Sequence, residues 1–455
     1  MTDAFKQSVI GPIPLEWKVA RFEEIFNIIK SYSLSRDKLT MEATSSEVHN
    51  IHYGDIHSKF VGNHLDFDIE LVPFIKDEFL TEKENQFLEN GDIVIADVSE
   101  DLIDIGKCVE LKNVKKRKII GGLHTIVARD KGNNIEKGFG AYIFKHDEVI
   151  KELRSMATGM SVYGISKGNL NKLPIPIPSS SEQRKIAYIL STIQKAIEQQ
   201  DKLIRQTTEL KKALMQRLFT EGTKSEKQKQ TEIGLVPQSW EVAKIGSMYD
   251  FTGKPRGLEI VSPTPFIPME LVPISQRFIE TYELRQQVSS GTYVENGDLL
   301  VAKITPSFEN GKQGFVSIDK EYAYATTEVI PMKGKVEISD LHFLYYYLLK
   351  DDVRKQLADK MEGSTGRQRL SKTVLGETLI PKPPIEEQIE VASTFIALDK
   401  KVSFCENKKR ILSDLFKTLL HELMTGQRRV HEIDFPGMTK EYALKEVPLS
   451  MAAER

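Results

Sequence analysis

Two long stretches of the chain carry apolar residues every three or four positions and predict long α-helices, from about Glu182 to Leu218 and from about Glu386 to Leu423. The apolar positions are Leu190, Ile193, Ile197, Ile204, Leu214 and Leu218 in the first stretch, and Phe395, Leu398, Val402, Cys405, Leu412, Phe416, Leu419 and Leu423 in the second. A stripe this narrow, sustained for about five heptads, favours a coiled coil over two amphipathic helices that each pack on their own domain. Polar residues interrupt the stripe and are expected to fix register: Gln200, Thr207, Lys211 and Lys409.

The chain before each long helix is predicted to form an α+β globular part. Short apolar runs predict strands at 92–97, 118–128 and 298–304, and helical stretches are expected at 145–157 and 339–361. Proline-rich segments, 174–178 and 381–384, directly precede the long helices. Because proline is tolerated at a helix start but not in its interior, both helices should begin after these segments, with Ser181 or a neighbouring serine as the first N-cap.

The chain is one unit written twice. IGPIPLEWKVA (10–20) returns as IGLVPQSWEVA (233–243), so the only two tryptophans, Trp17 and Trp240, fall in register. ENGDIVIA (89–96) returns as ENGDLLVA (295–302), and the segment 165–187 returns at 370–392 without a gap. Residues 27–88 and 252–294 share little. A repeated scaffold that carries divergent segments is suited to recognising two different targets with one architecture.

Composition adds bounds on the class of protein. The 455 residues carry a net charge of -2 and contain two cysteines, Cys108 and Cys405, which are too few for a disulfide framework. There is no signal-peptide pattern and no apolar run long enough to span a bilayer, so a cytoplasmic protein is expected. A standalone DNA-binding domain is usually basic. Near-neutrality therefore counts against DNA binding by the chain alone. It fits a protein that shares the duplex with partner subunits or one that clusters its basic residues locally.

At this point the repeats resemble a known family. The order domain–helix–domain–helix, the G-x-x-P-x-x-W openings, the E-Q helix starts and the helix ends LMQRLFT (214–220) and LLHELMT (419–425) resemble the specificity subunit of Type I restriction–modification systems, over about Ile10 to Gly426. The resemblance implies two pseudo-symmetric target recognition domains separated by two long helices in an antiparallel coiled coil. The predicted divisions are domain 1 (10–178), spacer helix 1 (179–220), linker (221–232), domain 2 (233–384), spacer helix 2 (385–426) and a tail (427–455).

The resemblance also implies a function. Each domain would recognise one half of a bipartite, asymmetric DNA site, and partner methyltransferase subunits, two in number, would carry S-adenosylmethionine and methylate adenine. A motor-nuclease subunit using ATP and Mg²⁺ would join for restriction, and this chain would hold no cofactor or metal. A helix of about 38 residues is about 57 Å long, or roughly 17 base pairs, which bounds the gap between half-sites. Helix length is expected to set that gap.

Candidate DNA contacts come first from the loops before the proline-rich segments, then from a second loop at 303–312, with Lys107 and His124 as weaker candidates. Each residue taken alone is interpreted as a phosphate contact or solvated surface rather than as a residue that reads a base. Arginine can pair with guanine and glutamine with adenine in the major groove, and lysine with phosphates. The candidates are Ser161, Tyr163, Lys167, Lys107 and His124 in the first repeat, and Lys303, Thr305, Ser307, Lys312, Ser364, Thr365, Arg367, Gln368, Arg369 and Lys372 in the second. The basic run Lys112, Lys115, Lys116, Arg117 and Lys118 is either a phosphate track or a solvated face.

Catalysis is not expected on this chain. It lacks the Asn-Pro-Pro-Tyr/Phe and Asp-Pro-Pro-Tyr tetrapeptides of amino-methyltransferases and a Walker lysine motif. A nuclease site from Asp104, Glu110 and Lys112 has no counterpart in the second repeat. His49, His52 and His57 near Asp55 are expected in a solvated loop rather than on a metal. The alternative function is a helical scaffold that joins two partner proteins without recognising DNA.

Overall fold

The chain folds into two compact units, and one of them is formed from two separate segments of the sequence. The computed structural model describes residues 5–60, 62–80, 86–259, 261–364 and 366–430. One compact unit, unit 1, comprises Met1–Gln200 and Lys408–Arg455, and the other, unit 2, comprises Asp201–Asn407. Residues 10–178 lie within unit 1 and residues 233–384 within unit 2. Each long helix contributes one segment to unit 1 and one to unit 2.

The two long helices extend over Ser180–Glu221 and Ile385–Met424, close to the predicted bounds. The hydroxyl of Ser179 accepts the N–H of Glu182 at 3.3 Å, so a serine neighbouring Ser181 caps the first helix. Each helix is followed by a glycine with a left-handed backbone, Gly222 (φ 67°) and Gly426 (φ 70°), which is the usual helix C-terminal signal.

Within unit 2 the two helix segments pack antiparallel. Phe219 and Phe395 stack with ring centroids 6.0 Å apart. Lys211, eight positions earlier in the first helix, forms an ion pair with Asp399, four positions later in the second. Residues of both helices join one hydrophobic cluster with the globular part: Leu214, Met215, Leu218, Phe219, Val391, Ala392, Phe395, Ile396 and Leu398. The polar position Lys211 of the predicted stripe therefore carries a specific contact between the helices.

Unit 1 brings together the other two helix segments. Leu190 and Ile193 of the first helix share a hydrophobic cluster with residues near the end of the second: Phe416, Leu419, Leu420, Leu423 and Met424. Trp17 and Tyr142 of the globular part belong to the same cluster. The alternative in which each helix packs only on its own domain is therefore wrong.

Unit 1 is built around two mixed sheets. The five-stranded sheet has the order Phe26–Ile29, Thr125–Asp130, Ile93–Ala96, Cys108–Lys112 and His64–Asp66. The four-stranded sheet has the order Lys118–Gly121, Val48–Ile51, Phe74–Ile75 and Leu39–Thr40. Two-stranded pairs are Phe5–Ser8 with Gly11–Pro14, Lys18–Arg21 with Pro174–Ile177, and Val98–Ser99 with Tyr163–Gly164. Short helices are Phe22–Ile25, Tyr53–Ser58, Gly140–Ile143, Asp147–Met156 and Lys167–Leu170, with 3₁₀ turns at Arg36–Lys38 and Asp77–Phe79.

Unit 2 repeats the five-stranded sheet with the same topology. Its order is Tyr249–Phe251, Val329–Gly334, Leu299–Ala302, Gln313–Val316 and Phe278–Ile279. The four-stranded sheet has the order Glu283–Arg285, Thr264–Ile267, Tyr322–Ala325 and Thr292–Glu295. Two-stranded pairs are Gln228–Thr231 with Gly234–Pro237, Glu241–Lys244 with Leu379–Lys382, and Glu362–Ser364 with Arg367–Arg369. Helices are Ile245–Met248, Leu341–Tyr347, Asp351–Ala358 and Lys372–Glu377, with a 3₁₀ turn at Met269–Leu271. This α+β architecture agrees with the predicted fold class.

The four-stranded sheets differ where the sequences of the repeats diverge. Both contain a parallel pair, Lys118–Gly121 with Val48–Ile51 in unit 1 and Tyr322–Ala325 with Thr264–Ile267 in unit 2. The edge strands beside these pairs have different partners and orders. The repeated sheet is therefore the scaffold, and the four-stranded sheet is where the two units depart from each other.

The repeated tryptophans fasten each opening turn to the start of a long helix. Trp17 Nε1 donates to the carboxylate of Glu182 and Trp240 Nε1 donates to that of Glu387, each at 3.1 Å and each buried. The side-chain amide of the next residue, Gln183 or Gln388, donates to the carbonyl of Pro178 or Pro383 at 3.0 Å. These contacts explain why the tryptophan, the proline-rich segment and the Glu-Gln pair recur together.

Three predicted elements are wrong in detail. The run 118–128 forms two strands, because the chain turns at His124 with a φ of 52°. The stretch 339–361 forms two helices that meet at Leu348–Lys350, where the Lys350 N–H is held by the carbonyl of Tyr347 at 3.2 Å. The linker 221–232 contains the strand Gln228–Thr231, which pairs with Gly234–Pro237 as Phe5–Ser8 pairs with Gly11–Pro14.

Candidate nucleic-acid interface

The candidate site of unit 1 forms where the central strand Ile93–Ala96 ends at Asp97. The Asp97 N–H donates to the carbonyl of His124 at 3.2 Å, and the Asp97 carbonyl accepts the N–H of Ile165 at 2.8 Å. The N–H of the preceding residue, Ala96, donates to the carbonyl of Lys107 at 2.9 Å. Four separate segments of the chain are thereby fixed around one position.

The Asp97 carboxylate lies among basic side chains. Its Oδ1 atom is 3.3 Å from Nδ1 of His124, and a quarter of its side chain is exposed (25%). Burial raises the pKa of Asp97, while His124 and Lys167 attract the charged form and reduce that rise. Lys107 Nζ donates to the carbonyl of His57 at 2.9 Å, and this hydrogen bond fixes the part-buried lysine side chain. Of the predicted residues, His124 and Lys167 therefore act on the Asp97 carboxylate, and Lys107 is held beside it through its main-chain bond to Ala96.

The remaining predicted residues of unit 1 are in a projecting loop. Tyr163 pairs with Ser99 in a two-residue strand directly after Asp97 and Val98. Ser161 is exposed in the loop that precedes Tyr163. Its apolar neighbours Met160 and Val162 are 94% and 53% exposed. The loop thus presents a hydroxyl and two apolar side chains beside the Asp97 cluster.

Unit 2 builds an equivalent site where the strand Leu299–Ala302 ends at Lys303. The Lys303 N–H donates to the carbonyl of Glu328 at 2.9 Å, and the Lys303 carbonyl accepts the N–H of Leu370 at 2.7 Å. The Ala302 N–H donates to the carbonyl of Lys312 at 3.0 Å. Each of these bonds has its counterpart around Asp97.

The hairpin of unit 2, formed by the strands Glu362–Ser364 and Arg367–Arg369, brings more of the predicted residues to Lys303. The Thr305 N–H and hydroxyl donate to the carbonyl of Gln368 at 3.0 and 3.3 Å. The guanidinium of Arg369 binds both carboxylate oxygens of Glu328 at 2.8 to 2.9 Å and lowers the pKa of that carboxyl. Ser364 and Arg367 are exposed on the two hairpin strands. The predicted residue Thr365 lies outside the described residues.

The other predicted residues of unit 2 flank the hairpin. Lys312 Nζ donates to the carbonyl of Met269 at 2.7 Å, and the Lys312 N–H donates to the carbonyl of Ser307 at 3.0 Å. Lys372 is exposed as the first residue of its helix, with Nζ 5.8 Å from the ring of Phe251. Lys312 thus buttresses the loop, and Lys372 lies at the same helix start as Lys167 in unit 1.

The two sites share one backbone frame and differ in side chains. Lys107 and Lys312 both donate to a carbonyl of the short helix after the first strand of the parallel pair. Lys167 and Lys372 both begin a helix capped by a serine, Ser166 or Ser371. The differing pairs are Asp97 with Lys303, His124 with Glu328, and Tyr163 with Gln368. The frame is therefore constant, and charge and hydrogen-bonding character change at its centre.

Sequence reasoning missed Asp97 and Glu328, the acidic residues of the two sites. A signal was present, since Asp97 follows the repeated block ENGDIVIA as Lys303 follows ENGDLLVA. Comparing the repeats at the residue after each block marks the position where they begin to differ in charge. Because DNA contacts were expected from basic and neutral polar side chains, acidic residues such as Asp97 and Glu328 were not considered.

Two other sequence expectations change. Lys115 and Arg117 of the basic run lie 2.7 and 3.5 Å from the carboxylate of Asp68, so that part of the run is paired. The expectation of a solvated loop for the histidines is wrong: His49 lies in a strand, and His52 caps a short helix by accepting the Gly54 N–H at 3.1 Å. His57 Nε2 is 2.9 Å from the carbonyl of Val98, which places it beneath the Asp97 site.

Two kinds of feature are absent from the described part of the chain. No group of three or more His, Cys, Asp or Glu residues there could hold a metal ion. No helix among those residues is long and apolar enough to cross a membrane.

Comparison with known proteins decides the family. The family model described as the Type I restriction modification DNA specificity domain matches residues 14–206 and 237–412, which is more than half of the chain. The chain belongs to this family. The two matched segments coincide with the two repeats, so the duplication, the resemblance and the specificity-subunit function are confirmed together.

Individual relatives agree with the assignment. A protein of Methanocaldococcus jannaschii assigned as the MjaX type I restriction enzyme specificity subunit is 26% identical over 438 residues, which cover 94% of this chain and 97% of that protein. The EcoAI specificity subunit of Escherichia coli is 27% identical over 218 residues, covering 46% of this chain and 36% of that protein. The crystal structure of the S subunit from M. genitalium matches with a TM-score of 0.55 and 16% identity, over 93% of this chain and 99% of that one. At that identity the last comparison supports the fold alone.

Proposed function

We propose that this specificity subunit recognises a bipartite, asymmetric DNA site, with the Asp97 site of unit 1 serving one half and the Lys303 site of unit 2 serving the other. The observation that carries the proposal is the shared frame. Its main-chain bonds are matched between the units, while Asp97, His124 and Tyr163 are replaced by Lys303, Glu328 and Gln368. A constant frame with exchanged side chains suits recognition of two different base sequences in the same manner.

The basic residues around each centre suit the polyanionic backbone of DNA. Lys107 and Lys167 serve unit 1, and Lys312, Arg367 and Lys372 serve unit 2. Lysine and arginine contacts to phosphate supply affinity and fix orientation, whereas side chains that reach base edges supply specificity. We therefore assign the lysines that occur in both units to positioning the DNA, and the residues that differ between the units to sequence specificity.

The chain is proposed to act without catalysing a reaction itself, in the cytoplasm, within a larger complex. Two methyltransferase subunits would bind it, hold S-adenosylmethionine and methylate adenine at the site it selects. A motor-nuclease subunit using ATP and Mg²⁺ would join for restriction. The gap between the half-sites, set by helix length, stays a prediction.

One experiment tests the assignment. Methylated adenines are mapped across the genome in cells that carry the methyltransferase subunit with and without this chain. We expect methylation at one bipartite motif that vanishes when the chain is deleted. A scaffold that does not recognise DNA would leave methylation scattered or unaffected, and methylation by the purified chain alone would contradict the non-catalytic role.

A further inference from the structure

The centres of the two sites have opposite hydrogen-bonding character. At one position of the shared frame, unit 1 has a carboxylate, Asp97, which when ionised only accepts hydrogen bonds. At the matched position unit 2 has an ammonium, Lys303, which only donates. Asp97 follows Ala96 and Lys303 follows Ala302, the last residues of equivalent central strands. Their main-chain partners are also equivalent, His124 and Ile165 in unit 1 and Glu328 and Leu370 in unit 2.

The carboxylate of Asp97 is not explained by the fold alone. Its Oδ1 atom is buried, and the group near it is Nδ1 of His124 at 3.3 Å, a contact that falls short of a regular hydrogen bond. A buried acceptor that is poorly satisfied is costly to keep, so a purely structural role would favour another residue. Burial also raises the pKa of this carboxyl, although His124 and Lys167 attract its charged form.

A carboxylate on a DNA-facing surface is repelled by phosphates unless it meets a hydrogen-bond donor. In the major groove, the donors that bases present are the exocyclic amines of cytosine (N4) and adenine (N6), and Asp or Glu side chains accept from the cytosine amine. Lysine instead donates to acceptors, most often O6 and N7 of guanine. The character of each centre thus selects a different class of base.

Resting on the proposed function, we propose that Asp97 and Lys303 each determine one base of their half-site. Asp97 selects a base that carries an exocyclic amine, cytosine or adenine. Lys303 selects a base that presents acceptors to the major groove, with guanine preferred. The neighbouring Glu328 does not offset this choice, because Arg369 already occupies both of its carboxylate oxygens.

The test uses the complete chain assembled with its methyltransferase subunits and a library of duplexes randomised at each half-site position. Asp97→Asn keeps the shape of the side chain but adds an amide donor, so we expect one position of one half-site to lose preference for its amine-bearing base by on the order of ten- to hundredfold. Asp97→Glu, which retains the carboxylate, should keep that preference. Lys303→Gln should relax one position in the other half-site alone.

Matched controls separate a specificity role from general effects. Asp101→Asn removes the same charge from an exposed residue four positions away, and Lys360→Gln removes a lysine charge from an exposed turn two positions after the helix Asp351–Ala358. Both should leave the motif unchanged. Melting temperature and assembly with the methyltransferase are measured for every variant.

Several results would overturn the proposal. They are an unchanged motif in Asp97→Asn, a uniform loss of methylation on all duplexes, or failure of Asp97→Asn to assemble, which would give Asp97 a structural role. If the wild-type complex itself selects no bipartite motif, the proposed function fails. If it does and the variants do not alter it, only this inference fails.

Discussion

Trp17 donates its indole N–H to the Glu182 carboxylate across 165 positions of sequence, at 3.1 Å in a buried setting. Trp240 and Glu387 repeat the same bond at 3.1 Å. The Glu182 carboxylate also receives Arg429 at 2.8 Å, from the segment that follows the second long helix. One carboxylate therefore joins an opening turn, a helix start and a helix end within unit 1.

Replacing Trp17 with Phe should destabilise the protein by about 1–3 kcal/mol, because Glu182 loses a buried hydrogen bond to a charged group. Trp240→Phe should have a similar effect through Glu387. Urea denaturation followed by circular dichroism measures both. Leu15→Ala serves as the control, since that side chain is 51% exposed and its loss should change little. Equal effects of Leu15→Ala and Trp17→Phe would argue against this bond as the cause.

The stability of unit 1 should depend on pH through Glu110. This carboxyl is buried and accepts the N–H groups of Gly138 and Ala141, and burial raises its pKa from 4.5 to about 7. A carboxyl whose pKa rises on folding binds its proton more tightly in the folded state. Stability from this group therefore falls as pH increases from 4.5 to about 7, by on the order of 3 kcal/mol, and stays level above.

Comparing Glu110→Gln with the wild type isolates this effect. Burial lowers the pKa of the nearby His64 to about 4, which acts in the opposite direction between pH 4 and 6.5. This contribution remains in the variant, but without the 3.9 Å contact between His64 Nε2 and Glu110 Oε2. Melting temperatures are measured from pH 4.5 to 8. The melting temperature of the variant should rise relative to that of the wild type up to about pH 7. A difference that is constant with pH would contradict the raised pKa.

Lys211 and Asp399 should be energetically coupled. The Lys211 ammonium and the Tyr346 hydroxyl both bind the Asp399 carboxylate, the latter at 2.6 Å. A double-mutant cycle of Lys211→Met and Asp399→Asn should give a coupling energy of about 0.5–3 kcal/mol, because the part-buried pair is shielded from water. Arg410 and Asp414, an exposed pair 3.8 Å apart on the second helix, provide the control cycle, for which a value near zero is expected. Zero coupling in both cycles would show that the pair does not fix the helices.

Arg354 should support the loop that carries Thr305 and Ser307. Its guanidinium donates to the carbonyls of Phe308 at 2.7 Å and Leu348 at 2.5 Å, and burial lowers its pKa to about 10, so it remains charged at neutral pH. Arg354→Met should cost about 1–3 kcal/mol for each carbonyl left unsatisfied. In unit 1, Arg154 donates to the carbonyls of Leu102 and Ile103 but is exposed, so Arg154→Met should have a smaller effect. Thermal denaturation compares them, and the reverse ranking would contradict the argument.

Arg367→Ala should weaken DNA binding of the assembled complex without disturbing assembly. Removing one cationic partner of a DNA phosphate reduces the dependence of log affinity on log salt concentration by about one unit. Mobility-shift titrations at several salt concentrations measure that slope. Arg369→Ala makes a useful comparison because its guanidinium is engaged by Glu328. An unaltered affinity and slope for Arg367→Ala would remove it from the interface.

Much of the scaffold could be predicted from the sequence because its signals are local. The three-four spacing of Leu190, Ile193 and the later positions fixes the long helices, and the repeated ENGD block ends in an aspartate whose carboxylate caps its own turn. Asp92 accepts the Glu89 N–H at 2.8 Å, and Asp298 accepts the Glu295 N–H at 2.7 Å. Such contacts depend on residues three positions apart and are visible as motifs.

The sites were harder to predict because their contacts join distant segments. Lys107 reaches the carbonyl of His57, fifty positions away, and Arg369 reaches Glu328, forty-one positions away. The strand Gln228–Thr231 was missed for a similar reason, since its polar residues pair with Gly234–Pro237 through main-chain bonds that no side-chain pattern reports. Main-chain pairing and long-range salt bridges leave little trace in periodicity.

Unit 1 is formed from two separate segments of the chain, which has a consequence for the newly synthesised protein. Unit 2 consists of one continuous segment, whereas unit 1 needs residues from Lys408 onward to cover Leu190 and Ile193. Domains usually fold in the order in which the ribosome releases them, at about 5–20 residues per second. Here the half that is translated first must wait, with an apolar helix face uncovered, until the last helix emerges, so the amino-terminal half should be the last to acquire protease resistance.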